Sequence, residues 1–285
     1  MATRTEDLRI RDPFVLLDDG VYYLYGTRGA TAWGPADGFD VYTSADLESW
    51  EGPFEIFHRP EGFWATDSYW APECVRRNGK YYLAATFGSQ ERRKGIQILE
   101  ADTPKGPFVP LTELPITTDA WSCLDGTVYF DDADIPWLVF SHSVPEERRG
   151  AICAIQLSND LHEAVSEVKT LFYASEAQWS RPIPFAKAEF GMDGEAFFSD
   201  GPCLIRQGDG KLRLLWSSWG DKGYCMGLST SLSGTLAGPW EHGEQAYVDG
   251  GGHGMVFEAR DGRRYLTYHT PNDFGKEHPV FIPFE

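Results

Sequence analysis

Asp12-Pro13-Phe14-Val15-Leu16-Leu17-Asp18-Asp19-Gly20-Val21-Tyr22-Tyr23-Leu24-Tyr25 decides the fold. Two runs rich in apolar and aromatic residues flank an Asp-Asp-Gly turn, and residues of that kind tolerate the positive φ a tight hairpin requires. The pattern returns four times. Pro72-Glu73-Cys74-Val75 leads through Asn78-Gly79-Lys80 to Tyr81-Tyr82-Leu83, and Asp125-Gly126-Thr127-Val128-Tyr129 leads through Asp131-Asp132 to Trp137-Leu138-Val139-Phe140. Asp200-Gly201-Pro202-Cys203-Leu204 leads through Gly208-Asp209-Gly210 to Leu212-Arg213-Leu214, and Gly252-His253-Gly254-Met255 leads through Asp261-Gly262 to Tyr265-Leu266.

After several of these hairpins comes a third β run, such as Phe39–Ser44, Gly95–Leu99 or Ala151–Ile155. A fourth is signalled by Gly-Pro-Phe or Gly-Pro-Trp at residues 52, 106 and 238. Four antiparallel strands repeated five times predict an all-β, five-bladed β-propeller, with 1–285 as one catalytic domain. A β-sandwich is the alternative, but sandwiches do not repeat one four-strand signature along the chain.

Composition agrees. Of 285 residues 14% are aromatic, with 30 Gly and 18 Pro. The formal charge of −18 argues against nucleic acid or an anionic membrane surface as partner, since both are polyanions. It is compatible with a neutral sugar. No run approaches the roughly 20 apolar residues of a membrane helix. The polar start at Met1-Ala2-Thr3-Arg4 does not read as a signal peptide, and five cysteines without a C-x-x-C pair read as buried thiols. Together these predict a cytoplasmic protein without disulfides.

Residues heading the five units are Asp12, Glu73, Asp125, Asp200 and His253. In a propeller the heads of the innermost strands gather at one mouth of the channel, so these groups are expected to share one pocket. Crowded carboxylates suit acid/base work on a glycosidic bond, which needs one protonated carboxyl and one ionised one. Trp33, Trp70, Trp121, Trp219 and Phe198 lie near blade tops where a sugar ring could stack. His253 is a candidate to bind substrate or hold an ion. Asp18-Asp19, Asp131-Asp132 and Glu146-Glu147 read as solvated loop charges.

Arg11-Asp12-Pro13-Phe14, Tyr69-Trp70-Ala71-Pro72-Glu73, Asp125 and Gly252-His253-Gly254-Met255 resemble glycoside hydrolase family 43 over essentially the whole chain. The resemblance implies a five-bladed propeller enzyme acting on α-L-arabinofuranosides or β-D-xylosides with inversion, without a required cofactor. It implies Asp12 as the general base and Asp125 as the carboxylate that orients the acid. The family's acid is usually a Glu in Glu-Gly-Pro; here Asp200-Gly201-Pro202 stands in its place. Asp200, Glu73 or Glu195 is therefore the expected proton donor, or the chain is a carbohydrate-binding propeller with little turnover. A protein-interaction propeller is the third class. The resemblance also places His253 near the propeller axis, where Ca2+ is possible, although calcium needs several oxygen ligands. The expected partner is a short oligosaccharide, cleaved from its end. The long interval between Asp125 and Asp200 is expected to hold an insertion that walls one end of the site.

Overall fold

The computed structural model describes residues 2–285 and is a five-bladed β-propeller with one sheet per repeat. The first sheet contains Thr3–Arg4, Ile10–Asp18, Val21–Arg28, Gly38–Ser44 and Ser49–His58. The second contains Asp67–Arg77, Lys80–Gly88, Gly95–Ala101 and Val109–Pro110, and the third Leu124–Phe130, Pro136–His142, Ala151–Gln156 and Lys169–Tyr173. Asp200–Arg206, Leu212–Gly220, Gly223–Ser231 and Trp240–His242 form the fourth, with Val248–Asp249 added beside Gly223–Ser231. The last has three strands, Gly252–Glu258, Arg264–Thr270 and His278–Pro283. Strand number thus varies from three to five about the expected four. The chain forms two compact units, Met1–Asp119 with Gly254–Glu285, and Ala120–His253.

The sheets share a device at their heads. Arg11 pairs with Thr27 and Phe14 with Tyr25, so Asp12 and Pro13 stand against the single residue Gly26. The same two-against-one register places Ala71-Pro72 between Trp70↔Thr86 and Glu73↔Ala84, Asp125-Gly126 between Leu124↔Ser141 and Thr127↔Val139, and Gly201-Pro202 between Asp200↔Ser217 and Cys203↔Leu215. These are β-bulges, and the first residue of each has positive φ: Asp12 53°, Ala71 46°, Asp125 55°, Gly201 52°, with His253 at 48° in the last sheet. The second bulge residue is always Pro or Gly, which suits a position outside the ladder.

This register corrects the sequence alignment at two heads. Ala71 and Gly201, rather than Glu73 and Asp200, are equivalent to Asp12, Asp125 and His253. Glu73 lies two places further on, where the other sheets carry Phe14, Thr127 and Cys203. Asp200 lies one place earlier, where they carry Arg11, Trp70 and Leu124.

Within each unit neighbouring sheets are joined by packing and by polar links. In the first unit Tyr25, Phe39, Phe57, Tyr69 and Phe87 form an aromatic core. Tyr69 and Phe87 meet edge to face at 4.8 Å, a pair worth about 1 kcal/mol beyond its burial. Asp18 is buried and accepts Arg76 Nη1 at 2.7 Å and the Tyr81 hydroxyl at 2.6 Å, so it is an inter-sheet link rather than a solvated loop charge. Asp131 caps its own turn, accepting the amides of Ala133 and Ile135 and the indole N–H of Trp137. In the second unit Trp216 and Trp179 centre the core. Residues 183–198 add a satellite cluster of Ile183, Ala186, Met192 and Ala196 around the short helix Ala186–Phe190, with Phe185, Phe198 and Trp219 against it. No disulfide joins any of the five cysteines among the described residues, and all five are buried; no helix among those residues is long and apolar enough to cross a membrane.

Candidate active site

In the first unit the bulge sets Asp12 in a buried polar chain. Its Oδ2 accepts the Thr27 hydroxyl at 2.5 Å, and Thr27 Oγ1 in turn accepts the amide of Ala71 at 2.8 Å. The Asp12 amide donates to His269 Nδ1 at 3.2 Å, and that nitrogen lies 3.4 Å from Asp12 Oδ1. Nδ1 therefore accepts and the ring proton sits on Nε2, which faces Asn272 Oδ1 at 3.4 Å. Asn272 Oδ1 also accepts Arg11 Nη1 at 3.1 Å, and the same nitrogen donates to the buried Glu277 at 2.6 Å. One continuous chain holds the backbone and the carboxylate of Asp12 in place. Glu73 is buried in the same unit, on the strand beside Ala84.

Trp33 is 58% exposed and meets Trp70 edge-on at 5.4 Å. The Arg11 guanidinium lies 5.4 Å over the Trp33 ring and Lys94 Nζ 5.2 Å over Trp70, whose indole N–H donates to Ala32 O at 2.6 Å. This tryptophan pair thus adjoins the residue preceding Asp12.

In the second unit Asp125, Asp200 and His253 are all buried, and one ligand-type atom of each lies within 4.8 Å of the others. His253 Nδ1 is 3.9 Å from Asp125 Oδ2. Two buried carboxylates so close repel unless a proton is held by one of them or by the His253 imidazole beside them, so the cluster has room for a group that gives up a proton. The Tyr224 hydroxyl sits 2.8 and 2.9 Å from the two oxygens of Asp200. The His253 amide donates to Ser217 Oγ at 2.8 Å, repeating the Thr27–Ala71 link. Glycine is required at position 201: besides φ of 52°, a Cβ there would lie 2.8 Å from His253 Cγ. Two carboxylates and one imidazole fall short of the six to eight oxygens calcium takes, so these side chains do not by themselves make a calcium site.

The remaining candidates divide. Trp219 packs between Phe185 at 4.9 Å and Tyr224 at 5.8 Å, which ties the inserted segment to the surroundings of Asp200. Phe198 is half-buried, and its carbonyl accepts the Ser218 hydroxyl at 2.6 Å. Trp121 stacks on His142 at 3.8 Å, which covers one face of its indole. Glu195 is exposed. Thr27, His269, Ser217 and Tyr224 were not singled out from sequence. The sequence signal is the Pro or Gly after each bulge head; in register one place before the head, the second strands carry Thr27, Thr86, Ser141 and Ser217, of which Thr27 and Ser217 accept a bulge-head amide.

Residues 7–281 match the family described as Glycosyl hydrolases family 43. A solved endo-arabinase from Bacteroides thetaiotaomicron superposes with a TM-score of 0.90 at 37% identity, covering 99% of this chain and 96% of that one. Among curated proteins, xylosidase/arabinosidase 43A of Humicola insolens is 29% identical over 152 residues, which are 49% of this chain and 46% of that protein. An extracellular endo-α-(1→5)-L-arabinanase of Bacillus subtilis is 26% identical over 141 residues, 46% of this chain and 42% of that protein. The matched stretch thus spans less than half of either curated relative.

Proposed function

Because the chain belongs to glycosyl hydrolases family 43, we propose that it hydrolyses α-L-arabinofuranosidic bonds, with β-D-xylosides as the nearest alternative substrates. The observation that carries this is the burial of Asp12, Asp125 and Asp200 at 8, 7 and 7% exposure. Burying carboxylates is costly, and unlike the equally buried Asp18, which links two sheets, these three stand at or beside the bulge heads of their strands. Similarity to the Bacteroides endo-arabinase favours arabinofuranosyl over xylosyl units.

In this mechanism Asp12 takes a proton from the water that attacks the anomeric carbon. The hydrogen bond from Thr27 supports the ionised carboxylate such a base needs. Asp200 gives its proton to the leaving oxygen as the glycosidic bond breaks, and Asp125 beside it orients the donor. A proton gained by one carboxylate and lost by the other returns through solvent. The direct displacement inverts the anomeric configuration. The exposed face of Trp33 stacks on a sugar ring. The substrate is a short oligosaccharide, shortened from its end in a reducing compartment; the burial of all five cysteines as thiols supports that compartment.

Activity on 4-nitrophenyl α-L-arabinofuranoside and β-D-xyloside, and product analysis on α-1,5-linked arabino-oligosaccharides, test the proposal. Turnover that Asp12→Asn abolishes supports it, and monosaccharide as the first product supports attack from the end. A protein that binds these oligosaccharides without cleaving any of them would instead favour a carbohydrate-binding propeller. Asp200, in the place usual for Glu, is the observation that favours this second reading.

A further inference from the structure

We propose that Tyr224 is a positioning residue that fixes the carboxyl plane of Asp200 for proton donation. The inference rests on the reading of Asp200 as the donor. A carboxyl group turns about its last side-chain torsion in a broad, weakly preferred well. An Asp200 free to turn would spend much of its time with the wrong oxygen toward the leaving group. The Tyr224 hydroxyl, 2.8 Å from Oδ1 and 2.9 Å from Oδ2, bridges both oxygens and restrains that rotation. When Asp200 carries its proton, the phenol donates to the oxygen that lacks it, so the contact persists in both states.

The ring of Tyr224 is itself held. Trp219 covers it at 5.8 Å, and Trp219 is braced by Phe185 of the inserted segment at 4.9 Å. Gly252 lies close to it as well, where a Cβ would come within 2.6 Å of Tyr224 Cε1. Asp200 lies one place before the positive-φ residue of its bulge, whereas Asp12 and Asp125 occupy that residue itself. Its carboxyl therefore starts from a different backbone position, and a phenol on the third strand of the same sheet supplies the restraint.

The test compares one substrate that needs its leaving group protonated with one that does not. In Tyr224→Phe, kcat on an unactivated α-1,5-arabinobiose is expected to fall about 10- to 100-fold, while kcat on 4-nitrophenyl α-L-arabinofuranoside changes less than about threefold, with KM little altered for either. Thermal melting of the variant shows that it is folded. Adding Tyr224→Phe to Asp200→Asn should cost nothing further on arabinobiose, because the group being positioned is gone. Equal losses on both substrates, or a full additional loss in the Asp200→Asn background, would overturn the role of Tyr224. If Asp200→Asn by itself spares arabinobiose, the assignment of Asp200 as donor has failed instead, and the two failures are distinguishable.

Discussion

The backbone amide of Asp12 donates to Nδ1 of His269 at 3.2 Å, across 257 residues of sequence. It joins the first sheet to the last within one compact unit, at the residue proposed as the base. The links Thr27–Ala71 and Ser217–His253 repeat the arrangement: a side chain on the second strand of one sheet accepts the amide of the bulge head in the next. Fold closure and site geometry therefore use the same hydrogen bonds.

His269→Ala should leave that amide without its acceptor and Asn272 without the Nε2 contact. We expect kcat to fall at least tenfold and stability to drop by about 2 kcal/mol, since a buried polar group loses its partner. Urea unfolding read beside steady-state kinetics checks both.

Thr27→Val keeps the shape of the side chain and removes both hydrogen bonds. The Asp12 carboxylate loses a donor and the Ala71 amide an acceptor. A loss of about 2–3 kcal/mol in urea unfolding is expected, whereas Thr27→Ser should stay within about 1 kcal/mol of the parent.

Gly201→Ala meets two obstacles, a φ of 52° and the His253 ring 2.8 Å from the new Cβ. The expected cost is about 2 kcal/mol or more, with lost turnover as His253 is displaced. A variant as stable and active as the parent would show that the packing of His253 against Gly201 is unimportant.

Trp33→Ala removes an exposed ring that no buried core depends on. Melting should be unchanged, while KM for arabino-oligosaccharides rises about 5- to 20-fold from the loss of one stacking contact. Intrinsic fluorescence titration with arabinotriose reports the same loss as weaker binding.

Burial pushes the thiols of Cys74, Cys153 and Cys225 up to about 12 from an ordinary value of 9.0. For Cys225 the carboxylates of Asp249, Asp200 and Asp221 add to the effect. Because the folded value lies above the unfolded one, the stability contributed by the neutral thiols is fully present below pH 9. It is lost progressively between pH 9 and 12. Melting temperature should decline through that window, and 5,5′-dithiobis(2-nitrobenzoate) at pH 8 should label these three thiols only after unfolding.

The sequence by itself determined the repeat, the hairpins and the count of five blades, because each depends on local chemistry. Positive-φ turn residues and short β runs signal their structure without reference to distant parts of the chain. It also singled out Asp12, Asp125, Asp200 and His253, which stand at or beside bulges marked by a following Pro or Gly. Register was decided only by the tertiary structure. Matching acid to acid put Glu73 and Asp200 at the heads of their strands, whereas the ladder puts Ala71 and Gly201 there. A one- or two-residue offset is invisible in composition, but it changes where along the ladder a side chain stands. Folding likewise decided that Asp18 is a buried link, that Tyr224 bridges Asp200 and that His269 receives Asp12. Each of those contacts joins residues far apart along the chain, and only the packing of strands onto one another brings them together.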